Sequence, residues 1–255
     1  MYKQGLYPII SKKASAKGIF DITVLCPEAA ELAVPGQFAQ LLAPGYFLRR
    51  PISICEIDKQ AGTLRMVFEV RGEGTEALSQ LNTGDNIDMI APLGHGFTKI
   101  EGKAVCVGGG IGVPPMLGIS TLYGKDATVI TGFRNAAAVI LQEDLKAAGC
   151  STVLCTDDGS AGIHGFVTAA LEEHLKSNKA DIIYACGPTP MLKAVAGIAE
   201  KHSVRCELSL EQRMACGVGA CLGCACKIER GGKEQYLHVC KDGPVFDAKE
   251  VKFNG

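Results

Sequence analysis

The chain has 255 residues, of which 47% are hydrophobic, and its formal net charge at pH 7 is −1. This length allows one large domain or two to three small ones with a packed core. The balanced charge argues against a broad basic surface for nucleic acid, and no apolar run reaches the ~20 residues that a membrane-spanning helix needs. Because residues 1–18 lack the apolar centre of a signal peptide, we expect a cytoplasmic protein.

Residues 1–99 form a series of short β-branched segments separated by turn residues. Strands at this spacing predict a small antiparallel barrel. One short helix is predicted within it, at residues 75–81. The predicted strands are residues 19–26, 37–42, 51–56, 63–70 and 86–91.

Residues 100–210 alternate between short apolar strands and helices. This alternation predicts a parallel sheet with helices on both faces. The predicted strands are residues 104–107, 127–133, 152–156, 182–186 and 204–210. The predicted helices are residues 114–123, 137–148, 165–176 and 190–202.

The last segment, residues 211–255, contains a compact cysteine cluster. Cys216, Cys221 and Cys224 are spaced C-x4-C-x2-C, and Cys240 follows on an expected strand. This is the plant-type arrangement of [2Fe–2S] ligands. Structural zinc and free buried thiols are the alternatives, although zinc sites usually pair C-x2-C units. Cys226 could replace one of the four ligands.

A glycine-rich loop joins the first strand of the second segment to its helix. Such glycines let the backbone approach a pyrophosphate, although an ordinary tight turn would look similar. The carboxyl ends of two further strands should lie beside it, since the strands are parallel. Asp157 could bind ribose hydroxyls or be a solvated turn residue, and its acidity favours NAD over NADP despite the nearby Arg134. The candidate nucleotide-binding residues are Gly109, Gly110, Gly112, Asp157, Cys186, Gly187 and Pro188.

The start of one barrel strand carries candidate flavin contacts. Arg50 could hold a phosphate with its forked donors, and Ser53 could bind a flavin ring nitrogen. Gly74 and Thr75 open the predicted short helix, where Thr75 would cap the helix or contact a phosphate. A basic strand start and an ordinary capped helix are the alternatives.

These motifs together resemble the ferredoxin–NADP reductase superfamily. The flavin motif of that superfamily is Arg-x-Tyr-Ser/Thr, and here Ile52 stands in place of the aromatic residue. Over its full length the chain is similar to the electron-transfer subunits of NAD-dependent (class 1B) dihydroorotate dehydrogenases, most specifically at residues 48–54 and 211–224. The resemblance implies that Cys216, Cys221, Cys224 and Cys240 ligate a [2Fe–2S] cluster. It implies that FAD is bound by Arg50, Pro51, Ile52, Ser53, Val67, Phe68, Glu69, Gly74 and Thr75.

The resemblance also implies an organisation and an activity. The expected domains are an FAD-binding β-barrel (1–99), an NAD-binding α/β domain (100–210) and a small [2Fe–2S] domain (211–255). An FMN-containing catalytic subunit would oxidise dihydroorotate in pyrimidine biosynthesis. The electrons would then pass through the cluster and FAD to NAD+. The complex would be a heterotetramer with two copies of each subunit. No residue of this chain needs to act as a catalytic acid or base. The alternatives are an NAD(P)H-dependent ferredoxin or sulfur-compound reductase subunit and a non-catalytic zinc-binding interaction module.

Overall fold

The N-terminal part of the molecule is a closed antiparallel barrel of six strands. The computed structural model describes residues 2–253. The barrel strands are β1 (Lys3–Ala16), β2 (Ile19–Leu25), β3 (Phe38–Leu42), β4 (Arg49–Asp58), β5 (Thr63–Glu69) and β6 (Asn86–Leu93), and the intervening helices are α1 (Pro27–Leu32) and α2 (Glu73–Ser79). The strands pair in the order β1-β2-β5-β4-β3-β6, and β6 closes on β1. The predicted antiparallel barrel is therefore confirmed.

Strand β1 was not predicted from the sequence. Its 14 residues are mostly exposed or half-buried, and Ile9 is its one fully buried side chain. The hydrophobic pattern is correspondingly weak. Hydrogen bonding to β2 on one side and β6 on the other maintains the strand, and these are long-range pairings that local sequence does not reveal.

The outer face of β3 and β4 is turned towards the rest of the molecule. Ala39 and Leu41 of β3 point into the barrel core. The alternate residue Phe38 packs instead with the hydrophobic cluster of the C-terminal half. This follows from the period-two alternation of side chains along a strand. The barrel thus presents one strand face to a neighbouring layer, and that face carries the candidate flavin motif.

The second part is a seven-stranded sheet with helices on both faces. Its strands are β7 (Ala104–Gly109), β8 (Ala127–Phe133), β9 (Ser151–Thr156), β10 (Ile163–His164), β11 (Ile182–Cys186), β12 (Arg205–Ser209) and β15 (Val245–Asp247), and its helices are α3 (Val113–Thr121), α4 (Gln142–Ala147), α5 (Val167–Ser177) and α6 (Thr189–Lys201). The order is β10-β9-β8-β7-β11-β12-β15, and only β15 runs antiparallel to its neighbour. The predicted parallel sheet is confirmed.

The predicted helix at residues 137–148 is wrong in its first half. A short 3-10 turn covers Ala136–Ala138, and the α-helix begins only at Gln142. Ile140 and Leu141 between them are buried in the core, and Leu141 has φ of +62°. Burial of these two side chains requires a non-helical backbone, which overrides the helix propensity of the alanines. No helix within residues 2–253 has the length and apolarity needed to cross a membrane.

The C-terminal segment is joined to the large sheet. A hairpin of β13 (Ala225–Arg230) and β14 (Lys233–His238) follows the cysteine loop. The chain then returns to place β15 beside β12. The hydrophobic residues of the hairpin pack in the same cluster as those of β7 and β11. This small segment therefore shares its core with the sheet, which a piece of this size could not supply alone.

A buried ion network fixes the barrel against the sheet layer. Arg65 of β5 donates to both carboxylate oxygens of Asp21 on β2 and, through Nη1, to Asp144 of α4 at 2.5 Å. Asp21 is buried, and the hydrogen bonds raise the pKa of Arg65 although burial opposes this. Arg65 therefore links the barrel to a helix of the sheet layer.

Candidate flavin, nucleotide and iron–sulfur sites

A cavity of about 210 Å³ lies where the outer face of the barrel meets the sheet. Pro51 and Ser53 of β4 line it, together with Glu69 and Thr75. Phe38 also lines it, because β3 pairs with β4 so that Phe38 lies opposite Ser53. The remaining predicted flavin contacts in the wall of this cavity are Ile52, Val67 and Phe68.

Ile52 and Phe68 contribute to this cavity from the barrel core. Both side chains are buried among the residues of the barrel interior, and Phe68 stacks with Phe20 at 6.0 Å. Of the two outward residues beside Ile52, Ser53 is therefore the one that offers a polar side chain to the cavity. Phe38 supplies an aromatic surface that the sequence motif lacks at position 52.

Arg50 lies beside the cavity, against the first turn of α2. Its guanidinium carbon is 5.3 Å from the centre of the Tyr46 ring. A Cβ atom on Gly74 would displace the Arg50 guanidinium from its present position. The neighbouring Arg49 makes a two-pronged ion pair with Asp88, at 2.9 Å to each oxygen. Of the two arginines, Arg50 is thus the one positioned to meet a phosphate at the start of a helix.

Thr75 organises the turn that leads into α2. Its Oγ1 accepts hydrogen bonds from the amides of Arg71, at 2.9 Å, and Gly72, at 3.2 Å. The same hydroxyl donates to the Gly72 carbonyl. Thr75 therefore shapes the backbone next to Arg50 and also lines the flavin cavity.

A larger cavity of about 750 Å³ adjoins the first one at the carboxyl edge of the parallel strands. Gly109 and Gly110 line it from the end of β7, and Gly187 and Pro188 line it from the end of β11. These neighbouring strands are the point where the strand order reverses, at which open α/β sheets bind ligands. Asp157 lines the same cavity from the end of β9.

Two predicted residues at this edge have roles in packing. A Cβ atom on Gly112 would overlap the Cys186 carbonyl and lie 2.8 Å from the Gly187 amide, so Gly112 lets the two loops touch. Cys186 lines the flavin cavity, and burial, with a smaller effect of Glu211, raises the pKa of its thiol to about 12. The thiol therefore stays neutral beside the expected flavin.

The two acidic residues after β9 have different environments. Asp158 caps its own turn, since its Oδ1 accepts hydrogen bonds from the amide and the hydroxyl of Ser160 at 2.9 and 2.6 Å. Asp157 instead faces the cavity, together with Arg134. Asp157 and Arg134 therefore place a carboxylate and a guanidinium in this cavity that could discriminate between coenzymes.

The four predicted cluster cysteines come together in the structure. The Sγ atoms of Cys224 and Cys240 are 3.2 Å apart, and both residues are buried. Cys216 and Cys221 form the second pair, in which the Cys221 amide lies 3.4 Å from the Cys216 sulfur. No group of three or more His, Cys, Asp or Glu side chains in residues 2–253 has the arrangement of a single-ion site. A [2Fe–2S] cluster needs two thiolates on each of two irons, and two pairs provide them.

Backbone amides point at these sulfurs. The Gly219 amide donates to the Cys240 sulfur at 3.2 Å, and the Val218 amide donates to the Cys216 sulfur at 3.5 Å. Although burial acts to raise it, hydrogen bonds from Val218 and Cys221 lower the pKa of Cys216 to about 6. Gly217 and Gly219 have positive φ, which the tight wrapping of the loop requires. The donor set therefore fits an iron–sulfur cluster, whose sulfurs commonly accept such hydrogen bonds.

The position of Cys240 differs from the prediction. It lies in the turn that follows β14 rather than on a strand. This turn is held by the His238 carbonyl, which accepts amides from Lys241 and Asp242. Cys226 lies on β13, and its sulfur makes no hydrogen bond with the four cluster cysteines in the described part of the chain. Burial, with a smaller effect of Cys224, raises the pKa of the Cys226 thiol to about 11.

One short segment connects all three sites. Residues 209–212 and Met214 line the flavin cavity, and the first cluster cysteine follows two residues later. Glu211 also lines the nucleotide cavity, as do Arg71 and Ile111. Sequence reasoning missed these residues. Glu211 could have been found as the polar residue just beyond a parallel strand, whereas Arg71 depends on how the barrel faces the sheet.

Two family models match the chain. Residues 211–252 match the model described as the iron–sulfur cluster binding domain of dihydroorotate dehydrogenase B. Residues 106–197 match the oxidoreductase NAD-binding domain. The first match contains the four cysteines, and the second contains the glycine loop and residues 186–188.

Curated relatives are similar over most of the chain. The electron transfer subunit of dihydroorotate dehydrogenase B (NAD(+)) from Caldanaerobacter subterraneus subsp. tengcongensis is 42% identical over 222 residues, covering 86% of this chain and 87% of the relative. The subunit of the same name from Geobacillus thermodenitrificans is 40% identical over 253 residues, covering 95% of this chain and 96% of the relative.

Solved structures share the fold. The structure of an NADH-dependent reduced ferredoxin–NADP oxidoreductase, described in terms of flavin-based electron bifurcation, aligns with a TM-score of 0.87 and 30% identity, covering 97% of this chain and 90% of that one. A cytochrome P450 reductase from Amycolatopsis aligns with a TM-score of 0.66 at 20% identity, covering 79% of this chain and 66% of that one, which shows the fold alone.

Proposed function

This chain belongs to the family of electron transfer subunits of dihydroorotate dehydrogenase B (NAD(+)), and from that membership we propose that it carries electrons from a [2Fe–2S] cluster through FAD to NAD+. The electrons originate from dihydroorotate, which a partner subunit oxidises in pyrimidine biosynthesis. The observation that carries the proposal is the contiguity of the three sites. Residues 209–212 and Met214 line the cavity on the barrel, Glu211 also lines the cavity at the sheet edge, and Cys216, the first of the four thiols, follows two residues after Met214.

The residues of this chain bind and orient the groups. Arg50 and the first turn of α2 hold the FAD phosphates, and Ser53 presents its hydroxyl to the flavin ring in the cavity that it lines. The amides of the glycine loop at 109–112 face the coenzyme pyrophosphate. When bound, the flavin exchanges a hydride with the nicotinamide and single electrons with the cluster.

Cys216, Cys221, Cys224 and Cys240 supply the four thiolates. The low pKa of Cys216 already favours its thiolate form, and metal binding displaces the protons of the others. The amides of Val218 and Gly219 stabilise the negative charge on the sulfurs. As the protein environment sets cluster potentials, these donors help to tune the transfer.

The partner is proposed to be an FMN-containing catalytic subunit, in a heterotetramer with two copies of each chain. Electrons must enter or leave the cluster through a surface close to it. Leu222, between the cluster cysteines, is 79% exposed. An exposed apolar side chain beside the cluster suits the core of an interface, which is depleted in charge. We assign this loop to the partner contact.

We propose three functional units along the chain. These are a flavin-binding barrel (1–99), a coenzyme-binding sheet (100–210) and a cluster-binding segment (211–255). We also propose a cytoplasmic location, because free thiols and an NAD-linked reaction suit a reducing compartment.

Purification and reconstitution test the function directly. The isolated chain should be brown, with about two irons per chain and bound FAD, and should oxidise NADH with artificial acceptors. It should oxidise dihydroorotate with NAD+ only after the FMN subunit is added. A colourless, iron-free protein containing zinc would refute the cluster assignment. Reduction of ferredoxin or a sulfur compound, with no coupling to dihydroorotate, would favour the alternative reductase.

A further inference from the structure

The side chain of Gln40 lies between the flavin cavity and the cysteine loop. Gln40 on β3 is fully buried and lies in register with Pro51, which lines the flavin cavity. Its Nε2 is 3.9 Å from the sulfur of Met214, in the wall of the same cavity. A Cβ atom on Gly217 would lie 2.5 Å from that Nε2. The carboxamide therefore touches both the flavin cavity wall and the residue that follows Cys216.

This position costs the protein stability. The Oε1 atom of Gln40 is buried and has no hydrogen-bond partner among residues 2–253. An unpaired buried polar atom costs about 1–3 kcal/mol, and the thioether of Met214 is only a weak acceptor for Nε2. A leucine or methionine would fill a similar volume without this cost. A buried amide that destabilises the fold, between two candidate redox sites, indicates a functional role.

We propose that Gln40 is a positioning residue that raises the reduction potential of the cluster. This inference rests on the proposed [2Fe–2S] site. Nε2, and not Oε1, is among the three atoms nearest to a Cβ position built on Gly217, so the positive end of the carboxamide dipole faces the cluster loop. A positive dipole stabilises the reduced cluster, which carries one more negative charge, and so favours its reduction.

The same side chain also determines how the cysteine loop packs against β3. Gly217 has φ of +71° and is buried against the Gln40 carboxamide, so this contact determines how closely the loop approaches β3. The neighbouring strand β4 presents Pro51 and Ser53 to the flavin cavity. The length of the Gln40 side chain thus helps to set the separation between the two redox groups.

The test compares two apolar variants, Gln40→Leu and Gln40→Met, with a control. The control is Gln235→Leu, at an exposed position of β14. We measure iron and FAD content, thermal unfolding, and the midpoint potential of the cluster by a redox titration followed by electron paramagnetic resonance. Both Gln40 variants should retain iron and FAD, unfold at an equal or higher temperature, and shift the cluster potential to a more negative value. The control should change none of these.

Three results would overturn the inference. An unchanged cluster potential in both variants would remove the electrostatic role, and a shift to a more positive value would reverse its sign. Loss of iron in both variants would show that Gln40 only holds the loop. Absence of a [2Fe–2S] signal from the wild-type chain would instead refute the proposed function, so the two failures are distinguishable.

Discussion

Substitution of Gly112 by alanine tests whether close packing of two loops creates the coenzyme site. Gly112 precedes α3 with φ of −81°, a conformation that alanine adopts without strain. The added Cβ would overlap the Cys186 carbonyl oxygen and lie 2.5 Å from its carbon. The effect of Gly112→Ala is therefore steric, and it acts on the backbone of β11.

The structure indicates the size of the effect. Carbon atoms in contact lie about 3.5 Å apart, so the two loops must separate by about 1 Å, and backbone atoms cannot rotate out of the way. Overpacking of this kind costs about 1–3 kcal/mol, which for a chain of this length lowers Tm by about 2–4 °C for each kcal/mol. Because both loops line the nucleotide cavity, a similar cost in coenzyme binding would raise the Kd for NADH about tenfold for each 1.4 kcal/mol.

The assay is stopped-flow reduction of the bound flavin by NADH, with iron and FAD content and thermal unfolding measured on the same samples. Gly197→Ala in α6 is the matched control, since a Cβ there meets no atom within 4 Å and alanine favours the helix. Gly112→Ala should weaken NADH binding and retain iron. If Gly112→Ala matches the control in Tm and in NADH affinity, the reasoning from loop packing is refuted.

Three further predictions concern the cluster, the coenzyme and the partner. Cys240→Ser should lose or damage the cluster and Cys226→Ser should keep it, as iron analysis and visible spectra would reveal; the reverse pattern would mean that the fourth ligand is wrongly assigned. Asp157→Ala should reduce the preference for NADH over NADPH in flavin reduction, because Asp157 faces the coenzyme cavity, and equal rates with both coenzymes in the wild type would contradict the preference. Leu222→Glu should weaken dihydroorotate-dependent NAD+ reduction with the FMN subunit but preserve NADH oxidation by artificial acceptors, since it adds a charge to an apolar contact. Leu122→Glu, at the exposed end of α3, is the control. Normal coupling in Leu222→Glu would place the contact elsewhere.

Local patterns were sufficient for most of the architecture. The strands β8 and β11 begin and end where the sequence predicts, because their β-branched and apolar residues are buried on both faces. The cysteine spacing predicted which four thiols meet, since three of them share one short loop. The glycine loop likewise lies at the strand end where the sequence puts it. In each case the residues that carry the signal are close together in the chain.

The tertiary structure decided the features that depend on distant parts of the chain. Polar β1 is a strand because β2 and β6 flank it, and residues 137–141 leave the helix because Ile140 and Leu141 must reach the core. The contacts of Gln40 with Met214 and Gly217 join residues about 175 positions apart. The sequence by itself determined which chemical groups are present and which of them share a loop. Only the folded chain decided how the barrel, sheet and cysteine loop face one another, because such long-range packing leaves no periodic trace in the local sequence.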